Sequence, residues 1–346
     1  MKPDEMEIGR RRIGIRQTPF VVAEVGVNHD GNPDRALELV RAAAASGADA
    51  VKFQWFRADQ LVGDPSSTAE YQRRSGFESQ LDLLRGLELD RDSLEGIVAE
   101  AHRLDIAAIV SVFSVDAVPE ASSLPWDAWK TASPDIVHRP LLEALAADGR
   151  PLIVSTGGAT LDEIVRADEW LSGIDIGFLH CVSAYPTPLD QANLAAIRTI
   201  AEATSRPGGY SDHTSDIMTG GIAVAAGAAI LEKHLTWSRT ADGPDHSASL
   251  EPEALKRYIE FTRTVHTAMG SGDKKRSKIE GDVMSVARQS IRAVRPLGAG
   301  TLLKRSDLVV KRPGDGLEPW RVEEVVGRTL QRDLGIDEPV RLEDLR

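Results

Sequence analysis

Between Phe20 and Met269 the sequence switches, eight times over, between two incompatible periodicities. Short, β-branched apolar runs (FVVAEVG, DAVKFQ, IAAIVSV, AWKTAS, PLIVST, IDIGFLHC, GGYSDH and AAILEKHL) read as strands, and the amphipathic stretches between them read as helices. PDRALELVRAAAASG is one of the helical stretches, with proline near its first turn and glycine at its close. Eight strand-then-helix units in series predict an α/β fold, a closed (β/α)8 barrel of the TIM type. Alternation alone also fits an open, doubly wound sheet; the count favours closure.

The rhythm breaks after Gln54, where WFRADQLVGDPSSTAEYQRRSGFESQLDLLRG delays the next convincing helix. Segments that long are usually functional, and its place beyond the second strand suits a lid. Residues 1–269 are read as the barrel domain. Residues 270–282 (GSGDKKRSKIEGD) are read as a linker, being glycine-rich and charged without an apolar period. Residues 283–346 form a small β-rich domain with turns at PLGAGT and PGDG and a weak helix near Arg321–Val326. A domain of that size is marginal alone, so it is expected to dock on something.

Composition narrows the partners. The chain has 41 basic and 53 acidic residues among 346, a net charge of −12, which opposes general nucleic-acid binding. An anionic small substrate then requires a local basic pocket that overrides the global field. No apolar run approaches a membrane span, and the stretch after Arg10–Arg12, IGIRQTPF, is too short and polar for a signal core. Cys181 is the only cysteine, so no intrachain disulfide forms and a reducing cytoplasm fits.

In a closed parallel barrel, chemistry gathers at the C-terminal ends of the strands. There the sequence places Glu24, then Lys52 and Gln54, then Ser111, then Lys130 and Ser133, then Ser155 and Thr156. Ser183 and Tyr185 follow the sixth strand, Ser211, Asp212 and His213 the seventh, and Glu232, Lys233 and His234 the eighth. Taken singly, Ser155 or Ser211 is more often a helix N-cap, and a lone lysine is usually a solvated charge. Lys52, however, lies between Val51 and Phe53, and Lys130 follows Trp129. A buried ammonium must find an anion or lose its proton. Two such lysines with serine hydroxyls make a cradle for phosphate and carboxylate oxygens. His213 and His234 end adjacent strands, so their imidazoles can converge on one divalent cation. His29, His180 and His246 have weaker claims.

The motifs AEVGVNHDG, GADAVKFQ, WKTAS, LIVSTGG, YPTP, GYSDHT, ILEKHLT and GPDHSASLEP, in this order, resemble the sialic acid synthase family. The tail ARQSIRAV…GTLLKRSDLVVKRPGDG is similar to that family's C-terminal antifreeze-like (SAF) domain, a β-clip fold. The resemblance implies condensation of phosphoenolpyruvate with an open-chain N-acylated hexosamine, in a domain-swapped homodimer. It implies that Lys52 and Ser111 hold the substrate carboxylate, and that Lys130, Ser133, Ser155 and Ser211 hold its phosphate. It further implies that His213 and His234 bind a divalent metal (Mn²⁺ first, Mg²⁺ or Co²⁺ as alternatives) and that Glu24 is the acid/base group. Lys52 and Lys130 are counted with Glu24 as catalytic. Gln54, Ser183, Tyr185 and Asp245 would meet the sugar, and Arg312 would reach into the partner's site.

Sialic-acid members often carry asparagine where Ser183 aligns, threonine at Ser111 and an aromatic residue at Arg288. These departures bear on the acceptor: a 2,4-diacetamido-trideoxyhexose or an unacylated mannose derivative is expected beside N-acetylmannosamine. The competing readings are a metal-dependent sugar isomerase or aldolase on the same barrel, and a non-catalytic carbohydrate binder.

Overall fold

The computed structural model describes residues 4–61, 80–171 and 173–346. The chain separates into two compact units, Met1–Ser271 and Gly272–Arg346.

The first unit opens with a hairpin absent from the sequence-based reading, β1 (Glu5–Ile8) and β2 (Arg11–Gly14), paired antiparallel. Eight parallel strands follow: β3 (Phe20–Gly26), β4 (Ala50–Trp55), β5 (Ala107–Val112), β6 (Ala128–Thr131), β7 (Leu152–Ser155), β8 (Ile176–Cys181), β9 (Gly208–Asp212) and β10 (Ile230–His234). Each pairs with the next, and β10 pairs with β3, so the barrel is closed. Every predicted run became one of these strands.

Strand alternation explains how this barrel is filled. Outward residues such as Val21, Phe53, Val110, Trp129 and Phe178 pack with the surrounding helices in one large apolar cluster. Inward residues near the strand starts are also apolar: Phe20, Val22, Ala50, Ile109, Ile153 and Ile230 form a second cluster. Met6, Ile8 and Ile13 of the hairpin belong to that cluster, so the hairpin plugs the N-terminal mouth. Its exposed edge is tied down by Arg11, 2.7 Å from Asp49. Two residues further along most strands the inward positions become polar (Glu24, Lys52, Ser111, Lys130, Ser155, Ser211 and Glu232), and these line the cavity described below.

The helices are built conventionally. Pro33–Ala45 starts with Asn32 accepting from the Asp34 and Arg35 amides and buries Ala36, Leu39, Val40 and Ala43. The segment read as a lid carries helices Ala58–Leu61 and Gln80–Arg85; its middle, 62–79, lies outside the described residues. Among the described residues, no helix is long and apolar enough to cross a membrane.

In the second unit, β11 (Ser290–Ala293) and β12 (Leu308–Lys311) pair antiparallel over a small core of Ile291, Leu297, Leu303, Leu330 and Val340. The expected weak helix is there as Val322–Val325. The stretch read as a linker includes the short turn Lys278–Glu280 and the start of a helix, Gly281–Ala287.

The plug yields a stability prediction. Ile13→Ala removes side-chain volume from a sealed layer and should cost about 2–5 kcal/mol in denaturant unfolding. Its effect on ligand affinity at the opposite mouth should be negligible, which a binding titration on the same variant checks.

Candidate active site

At the C-terminal mouth lies a cavity of about 400 Å³. It is lined by Glu24, Lys52, Gln54, Ser111, Lys130, Ser133, Ser155, Ser183, Tyr185, Ser211, His213, His234 and Asp245, the thirteen barrel residues given roles from sequence, whereas Thr156, Asp212 and Lys233, also placed at strand ends, do not line it. Arg312 belongs to the second unit, where it follows β12 and is exposed.

Charge is concentrated on the floor. Lys52 Nζ stands 2.8 Å from Glu24 Oε2 and donates to Ser111 Oγ at 3.2 Å. Lys130 Nζ donates to the Thr131 carbonyl at 2.8 Å and to Ser155 Oγ. Between the two ammonium groups sits Glu232, 3.9 Å from Lys52 and 3.8 Å from Lys130, accepting from Ser211 Oγ at 3.0 Å. All of these side chains are buried. The anion that each buried lysine demands is therefore present inside the protein. Glu232 was not among the residues assigned from sequence; its inward register, two before His234, was the available signal.

The environment sets the proton affinities. Burial raises the Glu24 carboxyl to about 7, with Lys52 opposing and Glu232 adding to the rise. Burial pulls Lys52 down, but Glu232 and Glu24 outweigh it and hold the ammonium above its usual range. Lys130 is lowered by burial, which Glu232 opposes and Lys52 reinforces. Gln54 Nε2 donates to Glu24 Oε1 at 3.2 Å and orients that carboxylate.

Beside the charges lies an aromatic corner. The rings of His213 and His234 are 5.5 Å apart, and Tyr185 packs on His213 at 4.1 Å. His213 Nδ1 lies 2.9 Å from the Val182 carbonyl, which fixes the ring and leaves Nε2 as the nitrogen available to a ligand. His234 Nδ1 is buried with no hydrogen-bond partner among the described residues; Asp245 Oδ2 is 3.8 Å away. Burial and the cationic neighbours keep the His234 pKa well below the usual range, so this imidazole is neutral, the form that binds a cation. Among the described residues, no set of three or more His, Cys, Asp or Glu side chains forms a metal cluster. Two imidazoles, one with an orphaned nitrogen, are residues that would hold a divalent cation and fit it as a Lewis-acid site.

The remaining wall is apolar: Val27, Leu83, Leu84, Leu87 and Phe113 line it. Gly31 holds this wall in place, because a Cβ there would lie 2.2 Å from the Gly86 carbonyl. Gly157 was also missed. A Cβ on it would meet Ser183 Oγ at 2.4 Å and Ser133 Oγ at 2.7 Å, so glycine leaves room for both hydroxyls. The weaker histidines are structural. His29 is buried, held near a pKa of about 4 by burial, and accepts from the Gly31 amide. His180 lies 2.9 Å from the Ala192 carbonyl, and His246 bridges Asp30 and Thr236.

Two buried lysines with their carboxylates and serine hydroxyls, beside two imidazoles, thus sit at the C-terminal mouth of a TIM barrel, where barrels of this class carry their active sites. Residues 39–274 match the model of the NeuB family and residues 288–346 that of the SAF domain. The chain belongs to the NeuB family. It is 38% identical over 330 residues to the N,N'-diacetyllegionaminic acid synthase of Legionella pneumophila, covering 93% of each chain. It is 36% identical over 329 residues to the synthase of the same name from Campylobacter jejuni, covering 93% of this chain and 98% of that one. Among solved structures, the N-acetylneuraminic acid synthetase of Leptospira borgpetersenii superposes with a TM-score of 0.74 at 31% identity, covering 81% of this chain and 95% of that one.

Two predictions come from this geometry. Gly157→Ala should crowd Ser133 and Ser183 and weaken anion binding at least several-fold without altering the melting temperature greatly, as paired calorimetric titration and melting will report. For Glu24, the folded protein retains between about pH 4.5 and 7 a proton that the unfolded chain has released, so its stabilising contribution falls as pH rises through that window. Glu24→Gln removes this dependence. The unfolding free energy of the variant relative to native protein should therefore rise from pH 5 to pH 7, measured by urea unfolding.

Proposed function

We propose that the protein is a nonulosonic acid synthase, condensing phosphoenolpyruvate with an open-chain N-acylated amino sugar and water to give a 2-keto-3-deoxy nine-carbon acid and phosphate. The observation that carries this reading is the Lys52–Glu24 and Lys130–Glu232 cluster with its serine hydroxyls. One small ligand bearing both a carboxylate and a phosphate matches two adjacent ammonium groups.

In this reading Lys52 and Ser111 take the carboxylate, and Lys130, Ser133, Ser155 and Ser211 take the phosphate, each as a donor to anionic oxygen. A divalent cation on His213 and His234 would act as a Lewis acid toward the acceptor's aldehyde. C3 of phosphoenolpyruvate attacks the aldehyde carbon, forming the C–C bond while the aldehyde oxygen takes up a proton. Water adds to C2, and the C2–O bond to phosphate breaks as the ketone forms. Glu24, poised near neutrality, gives its proton to the aldehyde oxygen and then receives the proton of the attacking water. Lys130 stabilises the departing phosphate.

Gln54, Ser183, Tyr185 and Asp245 are assigned to the acceptor. A 2,4-diacetamido-trideoxyhexose is favoured, because Val27, Leu83, Leu87 and Phe113 offer no hydroxyl partners and suit acyl and deoxy carbons. The names of the relatives from Legionella and Campylobacter support this choice. Arg312 is assigned to the acceptor site of a partner protomer in a homodimer, in keeping with its exposed place after β12. The single cysteine suits a cytoplasmic setting.

The test is a paired assay of inorganic phosphate and 2-keto acid, with phosphoenolpyruvate, Mn²⁺ and a panel of acceptors. Both products should appear in equal amounts and most rapidly with the diacetamido sugar; turnover of a sugar without phosphate release would favour an isomerase. Lys130→Met should raise the KM for phosphoenolpyruvate roughly ten- to a hundredfold, the worth of one charged hydrogen bond, with little change for the sugar. Mixing Arg312→Ala with Glu24→Ala should restore activity in mixed dimers, since one site then carries neither lesion; no recovery in demonstrated heterodimers contradicts the swapped arrangement.

A further inference from the structure

One buried ion pair has no part in the chemistry above. Along β9 and β10 the inward residues Ser211, His213, Glu232 and His234 face the cavity, which forces the residues between them, Asp212 and Lys233, to the outside of the barrel. These two are register partners across the strands. Their side chains have no exposure to solvent and stand 3.1 Å apart.

The pair is fully furnished with hydrogen bonds. Asp212 Oδ1 accepts from the Thr214 amide at 2.9 Å and from its hydroxyl at 2.8 Å, and Oδ2 accepts from Thr219 Oγ1 at 2.5 Å. Lys233 Nζ donates to the Thr214 carbonyl at 2.5 Å and lies 5.4 Å from the centre of the Tyr258 ring. Tyr258 belongs to helix Pro252–Met269 and is seated by Gly220, where a Cβ would come within 2.3 Å of its ring.

Burying an ammonium and a carboxylate in this way is a poor source of stability, because desolvation offsets most of the attraction and an apolar pair of equal volume does as well. What the pair does supply is geometry. β9 ends at Asp212, so His213 already lies beyond the strand, held by the Thr187 amide to its carbonyl. The residue after it, Thr214, is gripped from both sides, by Asp212 and by Lys233 of the neighbouring strand. Lys233 itself immediately precedes His234. The network thus ties the backbone on either side of one imidazole to the backbone beside the other.

We propose that Asp212 and Lys233, with Thr214 and Thr219, are positioning residues that set the separation of His213 and His234 and hence the affinity for a divalent cation. The inference rests on the reading of those imidazoles as the cation site. Outer contacts of this kind commonly change metal affinity by about ten- to a hundredfold when lost.

The experiment titrates Mn²⁺ into the metal-free, full-length protein, following free Mn²⁺ by electron paramagnetic resonance, with thermal melting on each sample. Native protein should bind one Mn²⁺ per chain and His213→Ala should not; no binding by native protein would remove the cation reading and this inference together. Lys233→Met, close in volume, should weaken Mn²⁺ roughly tenfold or more. Thr219→Val, which deletes one hydroxyl from Asp212, should weaken it measurably, and Thr219→Ser, which keeps that hydroxyl, should bind like native protein. If Lys233→Met does not fold, the Thr219 pair decides the matter. Native Mn²⁺ affinity in folded Lys233→Met or Thr219→Val, whatever the fall in melting temperature, overturns the proposal and leaves the pair a structural one.

Discussion

Two ammonium groups placed inside a barrel dictate most of what surrounds them. Lys52 and Lys130 are reached by no bulk solvent, so each needs carboxylates and hydroxyls within hydrogen-bond range. Glu24 and Glu232 supply the charge, Ser111 and Ser155 accept from the two ammonium groups, and Ser211 donates to Glu232. Because buried charge contributes little net stability, the rest of the interior must compensate with apolar packing. The lower half of the barrel is accordingly sealed by Met6, Ile8 and Ile13, and the outer surface of the strands is continuous with the helical shell.

In the proposed reading, the same cluster explains how two buried lysines that await a doubly anionic ligand are stabilised before it binds. In the free protein the internal carboxylates stand in for the ligand's own. If a substrate carboxylate takes Lys52, as proposed, Glu24 loses its partner while an additional negative charge arrives beside it. Its proton affinity, already raised by burial, must rise further. Substrate binding then loads the acid/base group with the proton that the reaction later moves.

Much of this was legible in the sequence because strand alternation is so regular here. Each apolar run carried its polar residues at the end where a barrel opens, and all thirteen barrel residues assigned from it line one cavity. What escaped has physical reasons. The hairpin at Glu5–Gly14 has strands of only four residues with charged outward positions, too short for a period to register. Glu232 stood beside Lys233 in the sequence, and only the register separates the one facing the cavity from the one facing away. Gly157 carries no side chain, so its role appears only when the neighbouring hydroxyls have positions. Leu83, Leu84 and Leu87 of the apolar wall come from helix Gln80–Arg85 and the residues after it, in a stretch that reads as an irregular loop.

The proposed function requires phosphoenolpyruvate to displace internal carboxylates from the buried lysines. It is tested most directly by the protons exchanged on binding. Calorimetric titrations of metal-free protein with phosphoenolpyruvate, at pH 7.5 in buffers of different ionisation enthalpy, report that number without any turnover. The account predicts net proton uptake by native protein and a clearly smaller uptake by Glu24→Gln, the difference belonging to Glu24. Equal proton exchange in the two proteins, with binding intact in both, would contradict it.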